Sequence, residues 1–279
     1  TREKLPLDFI ATHPYPTDWA LDPMTGKGGG RVREVNATAK DLTWLQKTIK
    51  ASAYPMAEVH CTEWSSSPSS RDAIHDSLQA AAYIIKANVD SIGLTNSLSY
   101  WTFTDVFEEK GAGDTIWHGG FGMINYQGIV KPSFHAYKML HELGDEILHR
   151  EEGLIVTRNS NSQKIISLLY HYPAEQKNVV DGNVDQVLNM GMPRKFNVDV
   201  KGLKAFANVM VEILDRNNGF AYPKWKAMGS PEPPTRQQTK QLKEAAFATK
   251  KEKVTANAKG ILKWERSLSP WDCVLIKSV

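Results

Sequence analysis

"MAEVHCTEWSSSPSSRDAIHDSLQAAAYIIKANVD" (56–90) is the stretch whose reading decides the fold. Its first nine residues read as a short strand that ends in Glu63 and Trp64. A Ser/Pro-rich loop follows. A helix is expected from Ser69 to Asp90: Ser69 and Asp72 form a capping pair, and Ile74, Leu78, Ala81, Ile85 and Val89 make one apolar stripe. The same strand-then-helix pattern lies on either side. "LPLDFIATH" (5–13) reads as a strand and "TAKDLTWLQKTIKAS" (38–52) as a helix capped by Thr38, with Asp41 three residues on. "LSYWTFTDV" (98–106) reads as a third strand, and "KPSFHAYKMLHELGDEIL" (131–148) as a third helix with Pro132 in its first turn. Three successive units predict parallel strands joined by right-handed crossovers. Polar and aromatic residues gather after each strand, in "THPYP", "TEWSSS" and "TFTDVFEE". That end of a parallel sheet or α/β barrel is where active sites are built.

Near Glu152 the pattern changes. "GLIVTRNSN", "QKIISLLYHYP", "RKFNVDVKGL", "ANVMVEILDRNNG" and "SPWDCVLIKSV" are short alternating runs divided by turn residues, which predicts an antiparallel β-sandwich. A short helix, "TRQQTKQLKEAA", interrupts them, with Thr235 and Gln238 as a capping box. The expected division is an α/β unit over 1–149 and an all-β unit over 150–279. With 41% hydrophobic and 23% charged residues the chain has an ordinary globular composition. A net charge of +3 without a Lys/Arg block gives no support to nucleic-acid binding. The most basic stretch, "KQLKEAAFATKKEKV", interleaves glutamates with its lysines and reads as a solvated surface. Cys61 and Cys273 stand in apolar runs far apart, which predicts buried thiols. No apolar run reaches membrane-spanning length, so no membrane partner is expected. The chain begins at Thr1 without a methionine. An original N-terminus, with any export signal, is therefore expected upstream, and the compartment is not legible.

Glu63 is the leading candidate for chemistry. Glycoside hydrolysis uses two carboxyl groups, one to protonate the leaving oxygen and one to attack or stabilise the sugar. An ordinary surface acid explains Glu63 equally well from pattern alone, but sugar rings stack on aromatic planes, and aromatics stand beside it. His13 and Tyr15 either bind substrate, orient Glu63 or form a strand-end pair satisfied by backbone. Glu108 and Glu109 follow Trp101 and Phe103 in a loop, where they are either solvated or grip vicinal hydroxyls. His118, in "WHGGFG", shares that loop, and its glycines permit close approach of backbone. "GKGGGR" (26–31) lacks phosphate-loop spacing and reads as a plain loop. The histidines form no metal pattern, so neither metal nor cofactor is expected. The absence of a G-x-S-x-G elbow argues against an α/β-hydrolase.

"DFIATHPYP", "TEWSSSPSSRDAIHDSLQAAAYIIK", "YWTFTDVFEE", "HGGFGMIN" and "KPSFHAYKMLHELGD", taken in order, resemble the family 39 glycoside hydrolases, the β-xylosidases and α-L-iduronidases. "VEILDRNNGFAYPKWKAMGSPEPPT" resembles the family's accessory sandwich. The resemblance implies an α/β plus all-β fold: the C-terminal three βα units of a (β/α)8 barrel, strands six to eight, then an antiparallel β-sandwich. It implies a retaining mechanism in which Glu63, ending strand seven, is the nucleophile. By the same resemblance His13 and Tyr15 line the sugar pocket, and Trp101, Glu108 and Glu109 contact the non-reducing sugar. One departure stands out. The family's acid/base glutamate lies in an Asn-Glu-Pro motif on strand four, and no Asn-Glu pair occurs in these 279 residues. The expectation is the C-terminal part of a retaining exo-glycosidase acting on β-xylosides, inactive alone, whose partners are a glycoside or oligosaccharide and a complementary N-terminal fragment or second copy. The alternatives are an α-L-iduronidase-like enzyme or other pentosidase, and a catalytically incomplete carbohydrate-binding fragment.

Overall fold

Three short strands run parallel in the order β1 (Phe9–Thr12), β2 (Glu58–Trp64) and β3 (Ser97–Tyr100). They alternate with helices α1 (Ala37–Lys50), α2 (Leu78–Asp90) and α3 (Pro132–His141). The computed structural model describes residues 5–18, 22, 25, 33–106, 111–174 and 184–278. Most of the remainder is antiparallel. Strands β4 (Glu146–Glu151), β5 (Leu154–Arg158), β6 (Ile165–Tyr170), β8 (Asn208–Leu214), β9 (Lys250–Thr255) and β11 (Cys273–Ser278) form one sheet, in the order β4-β5-β6-β11-β8-β9. Strands β7 (Arg194–Val200) and β10 (Leu262–Leu268) form a second, two-stranded sheet. Short helices α4 (Val184–Leu188) and α5 (Tyr222–Ala227) and the longer α6 (Arg236–Phe247) fill the connections.

The inner strands β6, β11 and β8 of the six-stranded sheet are apolar on both faces, which explains their runs of consecutive hydrophobic residues. On one face Leu169, Val209, Val211, Ile213, Val274 and Ile276 meet Phe196, Val198, Val200, Leu262 and Trp264 of the two-stranded sheet. On the other face Ile166, Leu168, Tyr170, Cys273 and Leu275 share a core with α2 and α3. Polar ties reinforce this second contact: Arg150 Nη1 donates to Val89 O at 3.1 Å, Lys138 meets Glu212 at 3.2 Å and Lys277 meets Glu142 at 2.8 Å. Thr249 also donates to Glu212, and although burial alone would raise its pKa, these partners hold the carboxyl below its ordinary value.

Several element boundaries differ from the sequence expectation, each for a local reason. The helix expected over 69–90 starts only at Leu78, capped by Ser77, whose hydroxyl accepts from Gln79 N. Asp72 instead caps a 3-10 turn over Ala73–Asp76. The helix expected at 38–52 starts at Ala37; the Thr38 hydroxyl bonds Tyr83, and Asp41 pairs with Arg33. The third helix ends at His141, and Glu146–Glu151 is strand β4, which runs across the expected division at 149/150. Gly144 makes that break: a side chain there would sit 2.2 Å from the Arg158 backbone. The third strand stops at Tyr100 rather than 106. The "KKEKV" that ends "KQLKEAAFATKKEKV" belongs to strand β9, paired with β8. The α6 capping box of Thr235 and Gln238 is present as expected.

One buried acid gives the fold a pH signature. In the turn before β11, Asp272 is 8% exposed and accepts a hydrogen bond from Ser269 N at 2.8 Å. Burial pushes its carboxyl up from 3.8 to about 7. The native state therefore keeps a proton that the unfolded chain releases, and stability falls as pH rises from 3.8 to about 7. Asp272→Asn should remove that slope, at most ~1.4 kcal/mol per pH unit, and stabilise the protein at pH near 8. Urea unfolding of both proteins at mildly acid and mildly basic pH measures the difference; parallel pH profiles would contradict it.

Candidate active site

Glu63 owes its position to an irregularity in β2. Cys61 pairs with Leu98 and Trp64 with Tyr100, so three steps on β2 face two on β3. That extra residue is a β-bulge, which breaks the alternation of faces. Val59, Cys61 and Trp64 are all buried, and Trp64 packs against Tyr83 of α2 at 5.9 Å. Thr62 and Glu63 are left together on the other side, where both reach His13.

The segment after β1 supplies the partners. Tyr15 OH donates to Glu63 Oε1 at 2.6 Å, and His13 Nδ1 lies 3.7 Å from Glu63 Oε2. His13 Nε2 hydrogen-bonds with Thr62 Oγ1 at 3.1 Å. Parallel pairing of Thr12 with Cys61 brings the two strand ends level. The Glu63 side chain is 26% exposed, so one oxygen is held by Tyr15 while the group still meets solvent. Beside it a cavity of about 640 Å³ is lined by His13, Tyr15, Asp18, Arg33, Trp44 and Pro68 among others. Arg33 in that cavity forms a fork with Asp41, at 2.5 and 2.7 Å.

Other candidates are placed less directly. Trp101 follows β3, and its backbone N donates to Trp64 O at 2.9 Å, one residue from Glu63. Phe103 is 62% exposed. The His118 ring turns into its own loop: Nδ1 bonds Thr115 O at 2.9 Å and the ring stacks on Tyr126 at 5.8 Å. Glu108 and Glu109 lie outside the described residues. Thr62 is a contact that pattern reading missed, because nothing in a bare threonine marks a bulge. Among the described residues no group of three or more His, Cys, Asp and Glu side chains could hold a metal, and no helix is long and apolar enough to cross a membrane.

A profile of glycosyl hydrolases family 39 matches residues 1–263. The chain belongs to glycosyl hydrolases family 39. It is 36% identical over 263 residues to a β-xylosidase of Caldicellulosiruptor saccharolyticus, covering 91% of this chain and 50% of that protein. The GH39 enzyme of Xanthomonas axonopodis pv. citri superposes with a TM-score of 0.84 at 27% identity, over 99% of this chain and 56% of that one. A monomeric β-xylosidase of Caulobacter crescentus gives 0.81 at 27% identity, over 99% and 57%. The chain thus spans about half the length of the curated relatives it matches.

The loop after β3 shows what the "HGGFG" glycines do: they approach the protein's own backbone and carboxylates. A side chain on Gly119 would sit 2.6 Å from Asp72 backbone atoms, one on Gly120 2.5 Å from the Asp105 carboxylate, and one on Gly122 2.2 Å from Asp105 N. Gly122→Ala should therefore destabilise the protein by about 1–3 kcal/mol through overpacking. Urea denaturation followed by circular dichroism measures this, and an unchanged midpoint would show that the loop is looser than described.

Proposed function

We propose that Glu63 is the nucleophile of a retaining exo-glycosidase acting on β-xylosides. The observation that carries the reading is the bulge-placed carboxylate, accepting a 2.6 Å hydrogen bond from Tyr15 with His13 beside it, in a family 39 chain. In this reading β1, β2 and β3 are strands six to eight of a (β/α)8 barrel, and the antiparallel sheets are an accessory sandwich. Glu63 attacks the anomeric carbon as the leaving oxygen takes a proton, and water then releases the glycosyl-enzyme. Tyr15 holds one oxygen so that the other faces the sugar. Trp101 and Phe103 offer a stacking surface, and Glu108, Glu109 and His118 are candidate contacts to hydroxyls. The acid/base partner is proposed to lie outside residues 1–279, since a retaining mechanism needs a second carboxyl group roughly 5 Å from the first and the Asn-Glu pair of the family's acid/base motif does not occur in this sequence.

The free edge of β1 fits this reading. β1 pairs only with β2 among the described residues, and Leu5, Phe9, Trp44 and Met56 are all more than half exposed around it. Such an edge calls for a complementary N-terminal portion or a second copy of the chain. A neutral pentose is favoured over a uronic acid because Arg33, the one cation lining the neighbouring cavity among the described residues, is already forked onto Asp41 and within 3.7 Å of Asp18.

In an enzyme carrying residues 1–279 with the remaining barrel strands, Glu63→Gln should lower turnover of an aryl xyloside by several orders of magnitude with the fold intact. Glu63→Ala should be partly restored by azide, yielding the glycosyl azide of inverted configuration. Less than a tenfold loss would sink the assignment. The 279-residue chain alone should show negligible hydrolysis of an alkyl xyloside, because general acid help alone is worth roughly 10² to 10⁴ in rate. Turnover comparable with full-length relatives would overturn the proposal that its acid/base lies elsewhere.

A further inference from the structure

Lys131 is fully buried, immediately before α3, and the mechanism above makes no use of it. Its Nζ lies 2.6 Å from Asp76 Oδ1, 2.7 Å from Asp105 Oδ2 and 2.8 Å from Gly120 O, and all three side chains are 0% exposed. Burial pulls the Lys131 ammonium down, but the two carboxylates more than offset it, and the group stays charged. Each carboxylate uses its second oxygen on backbone: Asp76 Oδ2 accepts from Gly119 N at 2.6 Å, and Asp105 Oδ1 from Gly122 N at 2.7 Å. His75, next to Asp76, bonds Gly119 O at 2.9 Å and Ser67 O at 3.1 Å.

These contacts join three segments. Asp76 closes the loop that follows Glu63, Asp105 lies four residues after Trp101, and Lys131 ends the long loop after β3. Residues 119–124, which these contacts hold, are zipped to the Trp101 strand end. Thr102 N donates to Phe121 O at 3.2 Å, Met123 N to Phe103 O at 3.0 Å, Asp105 N to Ile124 O at 2.9 Å and Lys131 N to Met123 O at 2.9 Å.

We propose that Lys131, with Asp76 and Asp105, is a positioning residue that fixes the Trp101–Phe103 wall relative to Glu63 by locking the β3 loop onto the β2 loop. The inference rests on the family 39 reading of Glu63, but its test needs no turnover. The 279-residue protein is labelled with 5-fluorotryptophan and its fluorine spectrum recorded, with the Trp101 signal assigned by Trp101→Phe. In Lys131→Met the Trp101 signal should shift by more than its linewidth or split, while Trp264, between the two antiparallel sheets, stays in place. If Lys131→Met does not fold, the charge-neutral triple variant Lys131→Met, Asp76→Asn, Asp105→Asn serves instead, with the same expectation. A Trp101 signal that does not move in a folded variant overturns the proposal. So does a spectrum in which Trp264 moves as far as Trp101, since the cluster would then be general scaffolding. Glu63→Gln, whose effect is read in turnover, tests the nucleophile separately, so either assignment can fail without the other.

Discussion

Helix α2 is the element on which both halves of the structure depend. Eleven of its thirteen residues are buried, including Gln79 and Lys86. A helix covered on every side has no solvent face to absorb a displacement, so whatever packs on it is fixed relative to everything else that does. Trp64 from the parallel sheet meets its Tyr83, and Tyr172, just past β6, meets the same ring at 6.0 Å. The consecutive alanines Ala80–Ala82, all at 0% exposure, let neighbouring backbones come close. Lys86 survives burial because Asn36 and Asp90 take its ammonium, and this holds the start of α1 against the end of α2.

On that rigid floor a single inserted residue sets the chemistry of the strand end. Without the bulge, Glu63 would follow Val59 and Cys61 into the apolar layer, where an ionised carboxylate is strongly disfavoured. With it, Trp64 occupies the apolar layer and Glu63 stands on the side of His13 and Tyr15. The indole and the carboxylate are therefore two consequences of one backbone feature. Trp64 is fully buried beneath the strand end, while Glu63 keeps partial contact with solvent.

How much of this the sequence disclosed depends on the length of the interactions involved. Local devices were legible: the Thr235–Gln238 capping box and Pro132 in the first turn of α3. The strand-end placement of His13, Tyr15 and Glu63, which the structure brings into contact, was readable partly from pattern and more from the family resemblance. The start of α2 was misplaced because Ser69 and Asp72 are good caps that the chain uses elsewhere, and Asp76 is drawn out of the helix by Lys131, 55 positions away. Strands β4, β9 and β10 escaped because their exposed faces carry charges, as in "EILHRE" and "KKEKVT", and such segments mimic the polar face of a helix or a solvated loop. The bulge left no local mark, because its signature is a pairing with β3 and not a residue type.

Lys131, Asp76 and Asp105 show why a buried ionic cluster says more about arrangement than about stability. Desolvating three charges is costly, and well-packed apolar side chains of similar size often hold a core as firmly. What apolar packing lacks is direction. Each carboxylate here is met by the ammonium on one oxygen and by a glycine N–H on the other, so only one placement of the 119–122 backbone satisfies both. A slip of one residue would leave a buried charge unpaired, at several kcal/mol. The glycines that permit this approach are the same ones whose side-chain positions are filled by Asp72 and Asp105. Loop geometry beside Glu63 is thus specified electrostatically from beneath, in a region where the short strands β2 and β3 have already ended.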